Sequence, residues 1–190
     1  MKYFKKGFTV AELLIVCAIV AILVAISIPI LNVQLEKARE AHDIATMRTA
    51  ASAAIDLYYA GVHDNPSALK AGISWDTGGG EEGANAYGAY DPRIGKIVKD
   101  RAVLGYGYYY GKGTKVDGGT VVPSGNEYGK AAYLATEDYT KAVVLVSIYP
   151  NSSKPHVDIY WKTNTGSIGQ YIGDRAATNI PKYSLRYYFN

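Results

Sequence analysis

Residues 5–29 read KKGFTVAELLIVCAIVAILVAISIP, and they constrain the interpretation of the whole chain. From Leu13 to Ile28 the run contains no charged side chain, and Ser27 is its one polar residue. With the apolar residues that precede Glu12, it makes a helix long enough to cross a bilayer core of about 30 Å. Glu12 is the exception in this helix, and a carboxylate in an apolar setting is costly enough to require a partner.

Two ordinary explanations of an N-terminal apolar segment fit less well. A cleaved signal peptide has an apolar stretch of about 7–15 residues followed by a small-residue cleavage site. Here the apolar run is longer, and the LNVQLEKAREA sequence after Pro29 continues a helical pattern. A plain membrane anchor fits the length, but it explains neither Glu12 nor the glycine–phenylalanine junction at residues 7–8.

The sequence GFTVAEL at residues 7–13, followed by the apolar run and Pro29, resembles the N-terminus of type IV pilins. The related pseudopilins of type II secretion systems have the same pattern. The resemblance covers about residues 5–32, and the leader, the junction, the glutamate and the proline all fall where this superfamily has them. With one cysteine, Cys17, the chain cannot form an internal disulfide, and in this respect it resembles disulfide-free type IV pilins and major pseudopilins. Taken as a whole, it is most similar to a disulfide-free type IV pilin.

The resemblance implies a processing and assembly pathway. Residues 1–7 would be a class III prepilin leader, cut by a prepilin peptidase after Gly7, and Phe8 would become the N-methylated first residue. Glu12 would pair with the amine of Phe8 in the next subunit of a filament. Because an unpaired buried charge is heavily penalised, this pair would set the register of the subunits. Pro29 would lie where the helix kinks or loosens during assembly, or where it leaves the membrane.

The helix is predicted to continue beyond the apolar run. Residues 8–30 form its transmembrane or filament-core half, and residues 31–60 form an amphipathic half that packs on a head domain. Gly61 and Pro66 end it. The predicted apolar stripe of the second half consists of small and apolar residues at helical spacing: Leu31, Leu35, Ala38, Ala41, Ala45, Ala51, Ile55 and Tyr58.

Residues 61–104 are predicted to be a glycine-rich loop region with one short helix over SALKAGI, residues 67–73. No Lys-Ser or Lys-Thr follows the glycines, so the pattern is not that of a phosphate-binding loop. Carboxylates in this region can supply oxygen ligands to Ca²⁺. Their spacing matches no calcium loop, which favours a solvated loop, and no cofactor is expected. The calcium candidates are Asp76, Glu81, Glu82 and Asp91.

From about residue 105 onward, segments rich in Tyr, Val and Ile predict strands joined by short turns. Short connections favour antiparallel pairing. In residues 157–162, VDIYWK, apolar and polar side chains alternate, which predicts a sheet with one face in water. The predicted fold class is α+β: a long N-terminal α-helix packed on a C-terminal antiparallel β-sheet head at residues 105–190.

Eighteen tyrosines in 190 residues have two interpretations. Tyrosine suits a half-exposed pleated surface, and this explanation needs no ligand. Exposed aromatic rings also supply flat contact area for a host or carbohydrate surface. The candidates for such an adhesive surface are Trp75, Tyr108, Tyr110, Tyr160 and Trp161.

Charge and composition give no sign of nucleic-acid binding or catalysis. The net charge of +3 includes Lys2, Lys5 and Lys6 of the leader, and removing these three from 20 basic residues leaves 17 against 17 acidic ones. DNA is therefore not indicated as a partner. The three histidines share no metal spacing and no G-x-S-x-G motif occurs, so no enzyme is expected. Cys17 is the only cysteine and is expected to be a small buried apolar residue.

The predicted function is a structural subunit of a type IV pilus, a homo-oligomeric helical filament for adhesion or motility. The resemblance implies a single-pass plasma-membrane precursor that a pilus assembly platform and its ATPase convert into an extracellular fibre. The alternatives are a type II secretion pseudopilin, a competence pilin or a minor adhesive pilin. Outside this superfamily, the remaining hypothesis is a membrane-anchored binding domain.

Overall fold

The computed structural model describes residues 7–78, 83–115, 121–122, 131–173 and 183–189. The chain divides into two compact units, Met1–Leu35 and Glu36–Asn190. Helix α1, Val10–Tyr59, begins in the first unit and ends in the second. Most of the predicted leader, residues 1–6, lies outside the described residues.

Helix α1 ends where the sequence predicts. Gly61 has a φ of +93°, a left-handed conformation that glycine adopts without the steric penalty of a Cβ atom. The N–H groups of Gly61 and Val62 donate to the carbonyls of Tyr58 and Leu57 at 2.9 and 3.1 Å. These bonds satisfy carbonyls that have no partner at the end of a helix. The predicted stop at Gly61 is thus confirmed.

The elements after α1 in the described residues are α2 (Asn65–Lys70), β1 (Ser74–Asp76), β2 (Asn85–Asp91), β3 (Lys96–Val98), α3 (Arg101–Leu104), β4 (Val121–Val122), β5 (Tyr133–Leu134), β6 (Ala142–Tyr149), β7 (His156–Thr163) and β8 (Leu185–Tyr188). Six of these strands form one antiparallel sheet in the order β1-β2-β6-β7-β8, and β3 shares with β1 the edge of β2 that faces away from β6. The longest pairing is the hairpin of β6 and β7, which aligns Val144 with Trp161. Strands β4 and β5 pair separately.

The core of the second unit lies between α1 and one face of the sheet. Small side chains such as Ala50 and Ala54 are fully buried on the helix, which lets the sheet approach closely. From the sheet, Val144, Ile159 and Trp161 belong to the same buried cluster. A long helix followed by an antiparallel sheet confirms the predicted α+β class.

The expectation that strands begin only at about residue 105 is wrong. Strands β1, β2 and β3 lie at residues 74–76, 85–91 and 96–98, inside the predicted loop region. The segment LGYGYYYG, residues 104–111, is predicted as a strand, but it begins with the last residue of α3 and forms no ladder. The N–H groups of Tyr110 and Gly111 converge on the single carbonyl of Ala142 at 3.2 Å. This part of the segment therefore contacts β6 at one carbonyl and does not form the repeated backbone hydrogen bonds of a strand pair.

The prediction that one face of β7 lies in water is also wrong. Its polar residues His156, Asp158 and Tyr160 are 1%, 3% and 7% exposed. Asp158 is paired with Arg186, directly opposite on β8, through bonds of 2.7 Å from Nε and 2.6 Å from Nη2. The hydroxyl of Tyr160 lies 2.9 Å from that of Ser147 on β6. Polar side chains can be buried when they form hydrogen bonds with side chains of neighbouring strands. The alternating apolar and polar residues of β7 therefore lie on two faces that are both covered by protein.

The predicted apolar stripe of α1 is wrong over its first turns. Leu35, Ala38, Ala41 and Ala45 are exposed. A different stripe is buried, and it begins with three carboxylates, followed by small or apolar side chains. Its members are Glu36, Glu40, Asp43, Met47, Ala50 and Ala54, at alternating spacings of four and three residues.

Candidate assembly site in the N-terminal helix

The N-terminus of α1 is closed by reciprocal hydrogen bonds between Thr9 and Glu12. The backbone N–H and Oγ1 of Thr9 donate to Glu12 Oε2 at 2.8 and 2.9 Å, and the Glu12 N–H donates to Thr9 Oγ1 at 3.2 Å. This capping box supplies partners for N–H groups that have none inside the helix. The carboxylate also lies at the positive end of the helix dipole. Sequence reasoning missed this role, although the T-x-x-E spacing of residues 9–12 is a recognisable signal.

The residues around the predicted cleavage junction are open. The side chain of Phe8 is 86% exposed, and a Cβ atom added at Gly7 meets no atom within 4 Å. The fold of the chain therefore does not require glycine at position 7. Both bonds that Glu12 accepts from Thr9 fall on Oε2, and among the described residues nothing donates to Oε1. One carboxylate oxygen thus remains for an outside donor.

The first unit presents apolar surface on all sides. Every described residue from Gly7 to Leu35 is exposed, whereas a helix of a globular protein buries one stripe. The hydroxyl of Ser27 donates to the Leu23 carbonyl at 2.7 Å, so the one polar side chain of the run is satisfied within the helix. Among the described residues, α1 is the one helix long and apolar enough to cross a membrane. Such a surface needs lipid or other protein chains around it.

Pro29 lies inside a continuous helix. The helical conformation runs from Val10 to Tyr59 without a break at this residue. Proline has no N–H to donate, so the Ala25 carbonyl one turn earlier loses its usual partner. The loss of this hydrogen bond weakens the turn before Pro29, where the helix is predicted to loosen during assembly. That loosening stays a prediction, because the helix of the single chain is intact at this position.

Two carboxylates on the buried stripe of α1 hold the segment of residues 112–114. The N–H groups of Lys112 and Gly113 donate to Asp43, the former to both oxygens at 2.9 and 3.0 Å and the latter to Oδ2 at 2.7 Å. The N–H of Thr114 donates to Glu36 Oε1. A Cβ atom at Gly113 would lie 2.0 Å from the hydroxyl oxygen of Tyr133, so only glycine fits there. Three consecutive backbone donors thus explain why these acids are buried.

We expect Asp43→Ala to lower the free energy of unfolding by about 2–4 kcal/mol, because it leaves the N–H groups of Lys112 and Gly113 without acceptors. The change is measured by urea unfolding of the full chain in detergent, with circular dichroism as the signal. Asp56→Ala, at an exposed position of the same helix, is the matched control and should change stability by less than about 0.5 kcal/mol. Equal effects of the two variants would contradict the assigned role of Asp43.

The structure does not bring the predicted adhesive residues onto one surface. The prediction is wrong for Trp161 and Tyr160, which are 3% and 7% exposed and lie on opposite faces of β7. Tyr108, Tyr110 and Trp161 do adjoin, with ring centroids 5.9 and 5.7 Å apart along the series. Trp75 packs against the main core cluster from a half-buried position. Within this series, Tyr108 and Tyr110 are half-buried and Trp161 is buried.

The described calcium candidates have protein partners. Asp91 accepts two bonds from the Arg93 guanidinium, at 2.9 and 2.8 Å, and these bonds lower the pKa of its carboxyl group. Asp76 Oδ1 accepts a backbone N–H two residues further on at 2.8 Å. Glu81 and Glu82 lie outside the described residues. The part of the chain that the structure describes holds no group of three or more His, Cys, Asp or Glu side chains placed to bind a metal ion.

Comparison with known proteins identifies the N-terminal feature. Residues 3–28 match the family model of the prokaryotic N-terminal methylation motif. No curated protein and no solved structure matches the chain. The matched segment contains the junction after Gly7, the capping pair of Thr9 and Glu12, and most of the exposed apolar run. The resemblance inferred from the sequence is thereby confirmed for the class III prepilin leader.

Proposed function

We propose that this type IV pilin-like or pseudopilin chain is a structural subunit of a type IV pilus, which assembles into a helical extracellular filament for adhesion or motility. The observation that carries the proposal is the methylation motif, continued by an apolar helix that is exposed on all sides. The motif implies processing by a prepilin peptidase and assembly into a pilus or pseudopilus. A pilus assembly platform and its ATPase would extract the subunit from the plasma membrane.

Burial of the apolar helix would stabilise a filament. In the membrane-bound precursor, lipid surrounds the apolar surface of this helix, so a subunit that leaves the membrane must bury that surface against something else. Exposing one large aliphatic side chain to water costs about 1.5–3 kcal/mol, and residues 10–35 carry many of them. Neighbouring copies of the same helix can supply the cover. Because a head-to-tail contact of this kind does not close into a ring, it extends into a fibre.

Glu12 would fix the register of that fibre. Its Oε2 caps the helix of its own chain, and its Oε1 is left for the α-amine that cleavage creates at Phe8 of a neighbouring subunit. Two opposite charges in an apolar core are tolerated only as a pair. Each subunit would therefore add at the one axial position where amine and carboxylate meet.

The exposed small residues of α1 in the second unit support the same proposal. Ala38, Ala41 and Ala45 lie on the surface at helical spacing. Small side chains let two helix backbones approach closely. The carboxylates of Glu36, Glu40 and Asp43 are buried, so the exposed alanine face does not carry their charge.

The test compares material sheared from cells with and without the gene for this chain by electron microscopy. We expect filaments only in the former, and antibody against residues 36–190 should label them along their length. Protein secretion should be the same in both strains. Loss of secreted proteins with filaments unchanged would assign the chain to a type II secretion pseudopilus instead.

Gly7→Val is expected to block processing, so that the chain keeps its leader and stays in the membrane. The expected cause is that the peptidase does not accept a valine side chain at the cleavage site. The fold itself has open space around Gly7 and would tolerate it. Intact mass spectrometry of membrane fractions would report the leader as added mass. Gly166→Val, also in open space, is the matched control and should be processed normally. A normally processed Gly7→Val chain would refute cleavage at this junction.

A further inference from the structure

The second unit contains an open cleft lined by α1 and by the segment of residues 108–114. Its volume is about 530 Å³, within the range of about 300–1,000 Å³ that is usual for small-molecule sites. The consecutive rings of Tyr108, Tyr109 and Tyr110 form one part of its lining, and Arg39 of α1 and Lys112 contribute cationic groups. The cleft thus combines flat apolar surface with positive charge.

The tyrosine rings are held in place by contacts outside the cleft. The hydroxyl of Tyr110 donates to a backbone carbonyl at 2.7 Å and accepts from a backbone N–H at 2.8 Å. The guanidinium of Arg93 lies over the ring of Tyr108, with Cζ 4.2 Å from its centroid. Tyr109 is 43% exposed. Two of the three lining tyrosines are therefore held in place before a ligand arrives, so little conformational freedom is lost when a ligand binds.

The charge at the cleft is positive but small. Lys112 is exposed and forms no ion pair with any described residue. Arg39, with 49% of its side chain exposed, uses one nitrogen on Glu36 at 3.2 Å and keeps its other donors. The described lining holds no carboxylate, and Oγ1 of Thr114, another lining residue, is buried without a hydrogen-bond partner. The cleft thus offers hydrogen-bond donors and tyrosine side chains to a ligand that carries hydrogen-bond acceptors.

We propose that this cleft binds an acidic saccharide, one or a few sugar rings that carry a carboxylate. The CH face of a pyranose ring would lie on the tyrosine rings, and its carboxylate would accept from Lys112 and Arg39. A nucleic acid fits less well, because its affinity needs several unpaired cations along a track. Of the two cations in the described lining, Arg39 is paired with Glu36, which leaves Lys112 as the unpaired one. Arg93, over the ring of Tyr108, is paired with Asp91.

The test is calorimetric titration of the full chain in a polyoxyethylene detergent, which has no sugar headgroup to compete for the cleft. The probes are trigalacturonate, the neutral trisaccharide maltotriose, and a twelve-residue oligothymidylate. The variants are Lys112→Gln and Tyr109→Ala, both at exposed side chains of the cleft. Lys70→Gln and Tyr59→Ala, exposed residues that do not line it, are the matched controls.

We expect saturable binding of trigalacturonate that is at least tenfold tighter than that of maltotriose and that weakens as salt is raised. Each cleft variant should weaken it about tenfold or more, and each control less than twofold. Absence of saturable binding, equal affinity for the two trisaccharides, or equal losses in the control variants would overturn the proposal. So would tighter binding of the oligothymidylate that the cleft variants abolish. None of these readouts depends on filament formation, so failure here leaves the proposed pilus function untouched.

Discussion

Glu12→Gln is expected to abolish filaments while the chain is still inserted and processed. Glutamine at the third position of a helix can keep the capping box with Thr9, since its amide oxygen accepts the same bonds. What it lacks is the negative charge. The amine of Phe8 in a neighbouring subunit would then be buried without a counter-charge, at a cost of about 3–5 kcal/mol per contact. That corresponds to more than about a hundredfold in subunit affinity.

Thr9→Ala separates the two roles of Glu12. It removes the hydroxyl of the capping box and keeps the carboxylate, so we expect a loss of about 1 kcal/mol of helix stability and filaments that still form. Sheared filaments, quantified by immunoblot and microscopy for both variants and for the unaltered chain, decide between the roles. If Glu12→Gln yields as many filaments as the unaltered chain, the charge pair is not what sets assembly.

The second large effect is expected at the buried ion pair of the sheet. Arg186→Met should lower the free energy of unfolding by about 3–5 kcal/mol, because it leaves the carboxylate of Asp158 buried without its cation. Their side chains are 3% and 5% exposed, so water cannot substitute for the guanidinium. Urea unfolding of the full chain in detergent measures the loss.

A double variant shows whether charge or packing is responsible. Arg186→Met combined with Asp158→Leu removes both charges and should recover most of the stability lost by Arg186→Met alone. Arg48→Met, at an exposed position of α1, is the control and should have little effect. A double variant that is less stable than the single one would contradict the account of this pair.

The part of the structure that the sequence predicts well is the part decided by local patterns. The apolar run, the helix end at Gly61, and strands β6 and β7 each depend on residues close together in the chain. The cleavage motif is also local, which is why it can be recognised from residues 5–32 alone. Long segments with strong periodicity carry their own signal.

The buried carboxylates of α1 could not be found in this way. Asp43 and Glu36 are buried because backbone donors of residues 112–114, some 69 to 78 positions later, supply their hydrogen bonds. A helix pattern assigns acids to the wet face, and nothing near them in sequence reveals these donors. The polar residues of β7 are a similar case, since the alternation separates two faces but does not say whether Arg186 and its neighbours cover the second one.

The central claim, that this chain is a processed pilin, is tested most directly by the N-terminus of the subunit inside filaments. Sheared filaments would be dissolved, and the intact subunit and its N-terminal peptide analysed by mass spectrometry. We predict a chain that begins at Phe8 with a methylated α-amine. A chain that begins at Met1, stays in the membrane fraction and is absent from sheared material would contradict the claim and leave a membrane-anchored binding domain.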